Sequence, residues 1–365
     1  MNNTAEHSIG LSNALLMMLL SSGLYNHVIL TPILLKASGR DAWIGVLIAS
    51  LIIPLLILII SFVSKCTASM SIPLWLTQNF GKGLNYVFII PIAGCLFIMN
   101  CVTFKDTISW SIASYLPYTP PLALAIFLAI LCFSSCMLGI RNIAFTAGII
   151  APIVMILGIG IAITNGPKKH YTYIFPALEN GMGPVWHSAF LTLGGIMEIF
   201  LVLLFQQHLK KKVNFLYLAI QSLFLIGITL GPLLAAISVF GPESASNQGY
   251  PAFELWRIAT IGKYISHIDF FAIFQWLAGS FIRIALLGFI TMDLFRMKSK
   301  KAKAYFLAVL YITLIMFSSL PIDETLFSQF IIKYYSFLIV IVFGGALIMF
   351  SMFSIFSIYK RKIEG

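Results

Sequence analysis

The chain has 365 residues, of which 60% are hydrophobic and only 10% are charged, with a formal net charge of +11. A soluble domain of this length needs far more polar surface, so the composition excludes a water-soluble globular protein. The apolar residues form blocks of about 20, which suit helices that cross a bilayer, and not the short alternating stretches of a membrane β-barrel. The sequence therefore predicts an all-α polytopic membrane protein.

About ten transmembrane helices are expected. The polar N-terminal segment lacks Lys and Arg, so the first block is predicted to be a retained span and not a signal peptide. No loop is long enough for a separate core, which predicts one integral-membrane domain over residues 1–365, with halves at 10–164 and 184–358. The predicted spans are 10–36, 42–64, 84–110, 119–138, 142–164, 184–206, 214–240, 269–295, 304–320 and 334–358.

The basic residues predict the orientation. With the N-terminus inside, the cytoplasmic loops and C-terminal tail hold 14 Lys or Arg residues, whereas the outer loops hold seven, Lys263 among them. This bias favours cytoplasmic N- and C-termini. The same bias, together with anionic lipid headgroups, accounts for the net positive charge of the chain. The expected partner is therefore the lipid bilayer and not nucleic acid.

Two spans carry small residues near their middles. Span 1 contains Ser21-Ser22-Gly23 and span 6 contains Gly194-Gly195. Paired interruptions at corresponding positions of two five-helix halves, which would run in opposite directions, are typical of a transporter-type binding site built on an inverted repeat. The alternative is that these small residues only let helices pack closely.

Two charges lie at matching depth in the predicted membrane. Glu198 is in span 6 and Arg283 is in span 8, each 14 or 15 residues from the outer end of its span. Such charges cost roughly 2.5–3.5 kcal/mol on insertion scales, so we expect the two to approach each other beside the interrupted helices. A buried structural ion pair, without a ligand, is the alternative.

Other reactive side chains give weaker signals. The five cysteines lie in or beside apolar runs and are interpreted as buried hydrophobes, and His27 as a hydrogen-bonded core residue. No phosphate loop, metal-ligand spacing or nucleophile motif occurs, so we expect no enzyme activity, no cofactor and no metal.

Several short motifs follow one another along the chain. They are Ser22-Gly23-Leu24-Tyr25-Asn26-His27-Val28, Gly39-Arg40-Asp41-Ala42-Trp43-Ile44, Gly195-Ile196-Met197-Glu198, Gln207-His208-Leu209-Lys210-Lys211-Lys212, Tyr250-Pro251, Ile268-Asp269 and Gly279-Ser280-Phe281-Ile282-Arg283. In their order and spacing the chain resembles the spore germination protein family, specifically the integral-membrane B subunit of nutrient germinant receptors, in the amino acid–polyamine–organocation superfamily. One departure is in span 1, where many members have Gly-x-Gly and Leu-Pro-Arg but this chain has Ser22-Gly23 and Thr31-Pro32-Ile33.

This resemblance implies a LeuT-type 5+5 inverted repeat with broken helices 1 and 6. It also implies a receptor complex in the spore inner membrane with a larger A subunit and a lipoprotein C subunit, which senses a small germinant such as an L-amino acid. Together with the midplane charge Glu198, the implied ligand-binding residues are Ser22, Gly23, Asn100, Thr103, Gly194, Gly195, Ser280 and Arg283.

Two other functions remain open at this point. The fold alone does not separate a nutrient sensor from a working amino acid permease. A purely structural membrane subunit of a complex is the third possibility, and it predicts that changes in the pocket leave function intact.

Overall fold

The computed structural model describes residues 8–262 and 267–364. Met1–His7 and Lys263, which enter the predictions above, lie outside the described residues. Over the described chain the regular structure is helical, and its β-type pairing is an isolated parallel bridge between Ile9 and Leu209. Helices are the expected outcome, because backbone amides in a bilayer must find partners within their own segment.

The helices of the first half are given in chain order, with α-helices numbered. Turns of 3₁₀ type connect several of them, at Gly39–Asp41, Gly166–Lys168 and Tyr171–Ile174. The α-helices are α1 Leu11–Leu24, α2 Leu30–Ser38, α3 Ala42–Ser50, α4 Ile53–Cys66, α5 Ile72–Phe80, α6 Lys82–Ser114, α7 Pro121–Leu138 and α8 Ile140–Thr164.

The second half contains ten numbered helices. They are α9 Met182–Ile196, α10 Leu201–Phe205, α11 Phe215–Phe240, α12 Pro242–Asn247, α13 Pro251–Arg257, α14 Phe270–Leu294, α15 Lys300–Ser318, α16 Glu324–Phe330, α17 Ser336–Ile339 and α18 Gly345–Glu364. Two spans consist of consecutive helices separated by single turns of other helical types. One span contains α9 and α10, and the other contains α16, α17 and α18.

Among the described residues, nine helical stretches are long and apolar enough to cross a membrane. The first, Leu11–Cys66, has 56 residues. At 1.5 Å per residue it would extend about 84 Å, nearly three bilayer cores. The chain turns at Gly39, whose φ of +53° favours glycine. Dividing the stretch there gives the ten predicted spans, with ends within a few residues of those expected for most of them, and the fold is an all-α polytopic membrane protein.

Neither span 1 nor span 6 is interrupted at its small residues, and each instead changes its helical winding a few residues later. Ser21, Ser22 and Gly23 are α-helical, and a π-helical turn follows at Tyr25–Ile29. Gly194 and Gly195 lie in the last turn of α9, which ends at Ile196, and a 3₁₀ turn follows at Met197–Phe200. The expectation that the chain is broken at these small residues is therefore wrong in detail, because the helices change their winding without losing helical structure.

Pro32 gives a physical reason for the turn in span 1. A proline has no N–H to donate, so it deprives the preceding helical turn of a hydrogen bond and its ring crowds that turn. Here Leu30 N–H bonds to Tyr25 O, the wider π spacing, and Thr31 Oγ1 donates to His27 O at 2.9 Å. Single π turns of this kind occur frequently at functional sites.

Contacts between helix ends define two opposite ends of the molecule. At one end, which we call the basic end, Ile9 N–H donates to His208 O at 2.8 Å, and Asp293 Oδ2 lies 2.9 Å from His208 Nε2. At the other end, Tyr115 OH donates to Asp269 Oδ2 at 2.9 Å. The pKa of the Tyr115 hydroxyl is raised, mainly because burial disfavours its charged form and secondly because it donates to Asp269. Span 1 therefore begins at the basic end and spans 6 and 8 end there, so span 1 runs opposite to spans 6 and 8, as predicted from the sequence.

Candidate functional site

A bidentate ion pair lies in the centre of the helix bundle. Arg283, on α14, donates from Nη1 to Glu198 Oε2 and from Nη2 to Glu198 Oε1, both at 2.6 Å. Both side chains are 0% exposed. The predicted approach of these two charges is confirmed. Their alignment as two parallel bonds is the strong geometry that a guanidinium forms with a carboxylate.

The guanidinium of Arg283 uses all five of its N–H groups. Besides the two bonds to Glu198, Nε donates to Thr103 Oγ1 at 2.9 Å and Nη1 donates to Ser21 O at 2.9 Å. The fifth group, on Nη2, donates to Tyr335 OH at 3.4 Å. Because the side chain has five donors, this arrangement leaves none unsatisfied, as a buried cation requires.

Tyr25 and Tyr335 form an aromatic wall over the ion pair. The Tyr25 ring centroid is 5.5 Å from Arg283 Cζ, within the range of a cation–π contact, and 5.2 Å from the Tyr335 ring. Tyr25 OH lies 3.4 Å from Ser336 Oγ. Tyr25 begins the π turn of span 1, and Tyr335 ends the π turn Ile331–Tyr335 of span 10. Two irregular turns therefore meet at the charged pair.

Gly194 and Gly195 mark close helix approaches. A Cβ added at Gly195 would lie 2.2 Å from Asn26 Oδ1, and one at Gly194 would lie 2.9 Å from Ser336 Cα. Both distances are shorter than real carbon contacts. Close packing, the alternative to a binding role, therefore describes the surroundings of these glycines, and a ligand-binding role for them stays a prediction.

Three further predicted residues bond to neighbouring helices. Ser280 Oγ accepts from Thr107 Oγ1 at 2.7 Å. The Asn100 amide, in the orientation that satisfies it, donates to Ile284 O at 3.3 Å and accepts from Gly288 N–H at 3.2 Å. Thr103 completes its bonding by donating to Met99 O at 2.9 Å. These side chains join α6 to α14 and hold Arg283 in place.

Ser22 differs from the other predicted polar residues. Its carbonyl accepts from Asn26 Nδ2 at 2.8 Å, but its hydroxyl and that of Ser21 are buried and bond to none of the described residues. Buried hydroxyls normally have a partner. Both hydroxyls therefore retain their full hydrogen-bonding capacity within the described part of the chain.

A cavity of about 530 Å³ lies against span 1. Its volume is in the range of small-molecule sites, and its lining is largely apolar. Gly23 is the one residue of the predicted set that lines it. Residues of α1, the π turn, α8 and α14 also contribute, including His27, Gly158, Gln275 and Gly279, while Lys169 lies in the loop after α8.

The sequence did not single out Asn26, Tyr335 or Ser336 as site residues. Asn26 belongs to the span-1 motif at residues 22–28, and its polar side chain in an apolar run could have indicated a site residue. Tyr335 and Ser336 are in span 10, and no pattern distinguishes them from the other tyrosines and serines of the chain. Within the described residues no group of three or more His, Cys, Asp or Glu side chains could hold a metal ion.

A many-span helical fold with a buried ion pair at irregular helix turns defines a polytopic membrane protein. Residues 11–327 match the family model described as spore germination protein. The chain is also 40% identical over 311 residues to spore germination protein XB of Bacillus anthracis, covering 85% of this chain and 87% of that protein. The chain belongs to the spore germination protein family, and its role is in germination.

Proposed function

We propose that this chain is the nutrient-sensing membrane subunit of a spore germination receptor. It binds a small germinant, an L-amino acid, and works in the spore inner membrane with a larger A subunit and a lipoprotein C subunit. The basic end, with both termini, faces the cytoplasm. Membership of the germination family and the permease-like scaffold support the proposal.

One observation carries the sensing role. The cavity and the ion pair contact the same stretch of span 1, which includes the last turn of α1 and the start of the π turn. Gly23 and His27 line the cavity, while Ser21 O accepts from Arg283 and the Tyr25 ring covers it. A ligand in the cavity therefore acts on the segment that also contacts the charges.

Coupling follows from this arrangement. A ligand shifts a conformational equilibrium only through its different affinities for the two states. If the segment Ser21–Ile29 moves when the cavity is filled, the bond from Arg283 to Ser21 O changes with it. The other predicted residues, Ser22, Asn100, Thr103, Gly194, Gly195, Glu198, Ser280 and Arg283, then meet the ligand only in a state where this cluster has opened.

Two glycines on α8 offer a matched test. Gly158 lines the cavity, and a Cβ there would be 3.8 Å from Gln275 Nε2, an ordinary contact. Gly160 is exposed, lies away from the cavity lining and has nothing within 4 Å of an added Cβ. Gly158→Leu fills the cavity, whereas Gly160→Leu only adds an apolar side chain to the outer surface. Gly194 is a poorer probe, because any side chain there clashes.

The measurement combines germination with binding and uptake. Spores carrying Gly158→Leu should need at least about tenfold more L-amino acid for half-maximal germination, since bound-ligand contacts are lost, while Gly160→Leu spores respond normally. Immunoblots of the A and C subunits verify that the complex assembles. Equal responses of the two variants would favour a purely structural subunit.

Uptake separates the sensor from the permease. The full chain, purified with its partner subunits and reconstituted in liposomes, is given labelled L-amino acids. Saturable binding without accumulation supports the sensor. Accumulation that follows an ion gradient and is abolished by an ionophore would make the chain a permease.

A further inference from the structure

A second, smaller cavity lies at the basic end, away from the ion pair. It has a volume of about 200 Å³ and lies where α7 ends, α8 begins, α14 ends and α15 begins. Its polar lining is formed by Lys298, Lys300 and Lys303, and its apolar wall includes Phe289 and Met292. A water molecule takes about 30 Å³ in the liquid, so the cavity has room for a polyatomic anion.

The three lysines have no acidic partner among the described residues. None of them is in an ion pair, and the nearby carboxylate of Asp293 is held by Gln207 Nε2 at 2.8 Å and His208 Nε2 at 2.9 Å. Three ammonium groups around one cavity repel each other and produce a strongly positive potential there. An anion in the cavity would relieve this repulsion.

The helix that carries two of these lysines adds to the same potential. α15 starts at Lys300, has no acidic residue in its first turn, and receives no cap from the side chain of Ser299. Positive side chains are unfavourable at a helix N-terminus, where the free amide groups already carry partial positive charge. The first turn of α8 follows Gly139, another residue of the cavity lining, and is also without a side-chain cap.

We propose that this cavity binds a phosphate group, held by Lys298, Lys300 and Lys303. Phosphate suits ammonium donors and helix N-termini, and basic pockets between transmembrane helices at this kind of position accept lipid headgroups. The apolar wall of Phe289 and Met292 accommodates the hydrocarbon side of an anionic phospholipid. A free phosphate ion shares the same polar chemistry, so the test distinguishes the two sources.

A bound phosphate would tie together the four spans whose ends meet at the cavity. Phe289 follows Arg283 by six residues on α14, which places the two about 9 Å apart along the helix axis. A ligand in the cavity would therefore contact the part of α14 next to Arg283. This inference is independent of the identity of the nutrient.

The test compares two triple variants that remove the same charge. The first is Lys298→Gln, Lys300→Gln and Lys303→Gln, in the cavity. The second is Lys210→Gln, Lys211→Gln and Lys212→Gln, three exposed lysines of the same end that do not line it. Full-length protein in neutral detergent is titrated with phosphatidylglycerol, phosphatidylcholine or inorganic phosphate, and bound species are counted by native mass spectrometry.

The cavity variant should lose affinity for phosphatidylglycerol by at least about tenfold, and the control variant should keep it. Replacing the three cavity lysines by Arg keeps the charge and should preserve binding, which excludes misfolding as the cause of a loss. If inorganic phosphate displaces the lipid, the site accepts the free ion, and if it does not, the site is for lipid. Equal losses in the two Gln variants, or no preference for phosphatidylglycerol over phosphatidylcholine, would overturn the proposal.

Discussion

Arg283 shows how one buried charge organises its surroundings. Its five donors reach acceptors on α1, α6, the turn Met197–Phe200 and the turn ending at Tyr335. Desolvating a charged pair is costly, so the pair stabilises the fold only while both partners are present. Loss of either partner leaves an uncompensated charge in an apolar interior.

Removal of either charge of the central ion pair should destabilise the protein. Glu198→Gln or Arg283→Gln should each lower the free energy of unfolding by about 3–5 kcal/mol, because the remaining charge is unpaired and 0% exposed. The double variant should be less damaged than the sum of the two changes. Thermal unfolding of the purified full-length protein measures these differences.

The partly exposed pair Arg40–Glu179 is the matched control. Its atoms are 3.0 Å apart, the Arg40 side chain is 18% exposed and the Glu179 side chain, which would remain, is 52% exposed. Arg40→Gln should therefore change the stability by less than about 1 kcal/mol. Strict additivity of the two central single variants would contradict a direct interaction between Glu198 and Arg283.

The site could be predicted in part from single residues. Matching depths of Glu198 and Arg283 predicted their contact, because an intramembrane charge needs a partner. Asn26, Tyr335 and Ser336 could not be found in the same way. Their places depend on which helix faces lie together, and that information is not contained in the composition of any one span.

At the scale of the element, the π turn Tyr25–Ile29 sets the site geometry. One extra residue in the turn rotates the residues before it by about 100° relative to those after it. This offset places Tyr25 over Arg283 and brings Asn26 against Gly195. Pro32 favours the offset, because its missing N–H and its ring weaken the regular α-helical bonding of the turn that precedes it.

Pro32→Ala should therefore have different effects on the thermal stability of the protein and on the germination response. The variant gains a hydrogen bond and good helix propensity, so its thermal stability should be unchanged or higher by up to about 3 kcal/mol. The germination response to an L-amino acid should weaken, because Tyr25 and Asn26 lose their offset. Spore germination rates and thermal unfolding of the purified protein measure the two effects.

Pro91→Ala serves as the control for that experiment. Pro91 is exposed within α6, which runs as a continuous α-helix over Lys82–Ser114. No turn of another type depends on it, so its replacement should leave germination unchanged. A Pro32→Ala variant that germinates like the unmodified protein would contradict a role for the π turn.

The spans themselves were the most predictable elements. Their apolar blocks have a length dictated by the bilayer, so most helix ends lie within a few residues of the predicted ones. The interruptions were less predictable. The small residues Ser21-Ser22-Gly23 predicted a break, whereas the change of winding lies nearer to Pro32. A lost N–H perturbs a helix more than a small side chain does.

At the scale of the whole molecule, the two ends differ in charge and in contacts. The basic end contains the lysines after α10 and before α15. There, Ile9 and Leu209 form an isolated parallel β-bridge. The opposite end is joined by Ser38 Oγ, which donates to Pro184 O, and by Asp41 Oδ1, which accepts from Leu178 N–H at 2.8 Å. The positive-inside bias predicts that the basic end is cytoplasmic.

The native cysteines provide a direct measurement of this orientation. Cys95, Cys101, Cys132 and Cys136 are buried, with at most 6% of each exposed, while Cys66 is partly exposed at the basic end. A membrane-impermeant maleimide should therefore label the native chain at Cys66, and only in inverted vesicles.

The control places a thiol at the opposite end. Tyr118 follows α6 and is 98% exposed. In a chain that carries Cys66→Ala and Tyr118→Cys, labelling should occur in intact protoplasts and not in inverted vesicles, because spans 2 and 3 end on opposite faces. Labelling of both positions from one side would contradict the alternation of the spans. Labelling of Cys66 from outside would reverse the orientation and put the phosphate cavity at the outer leaflet, where the lysine bias of the sequence would have no explanation.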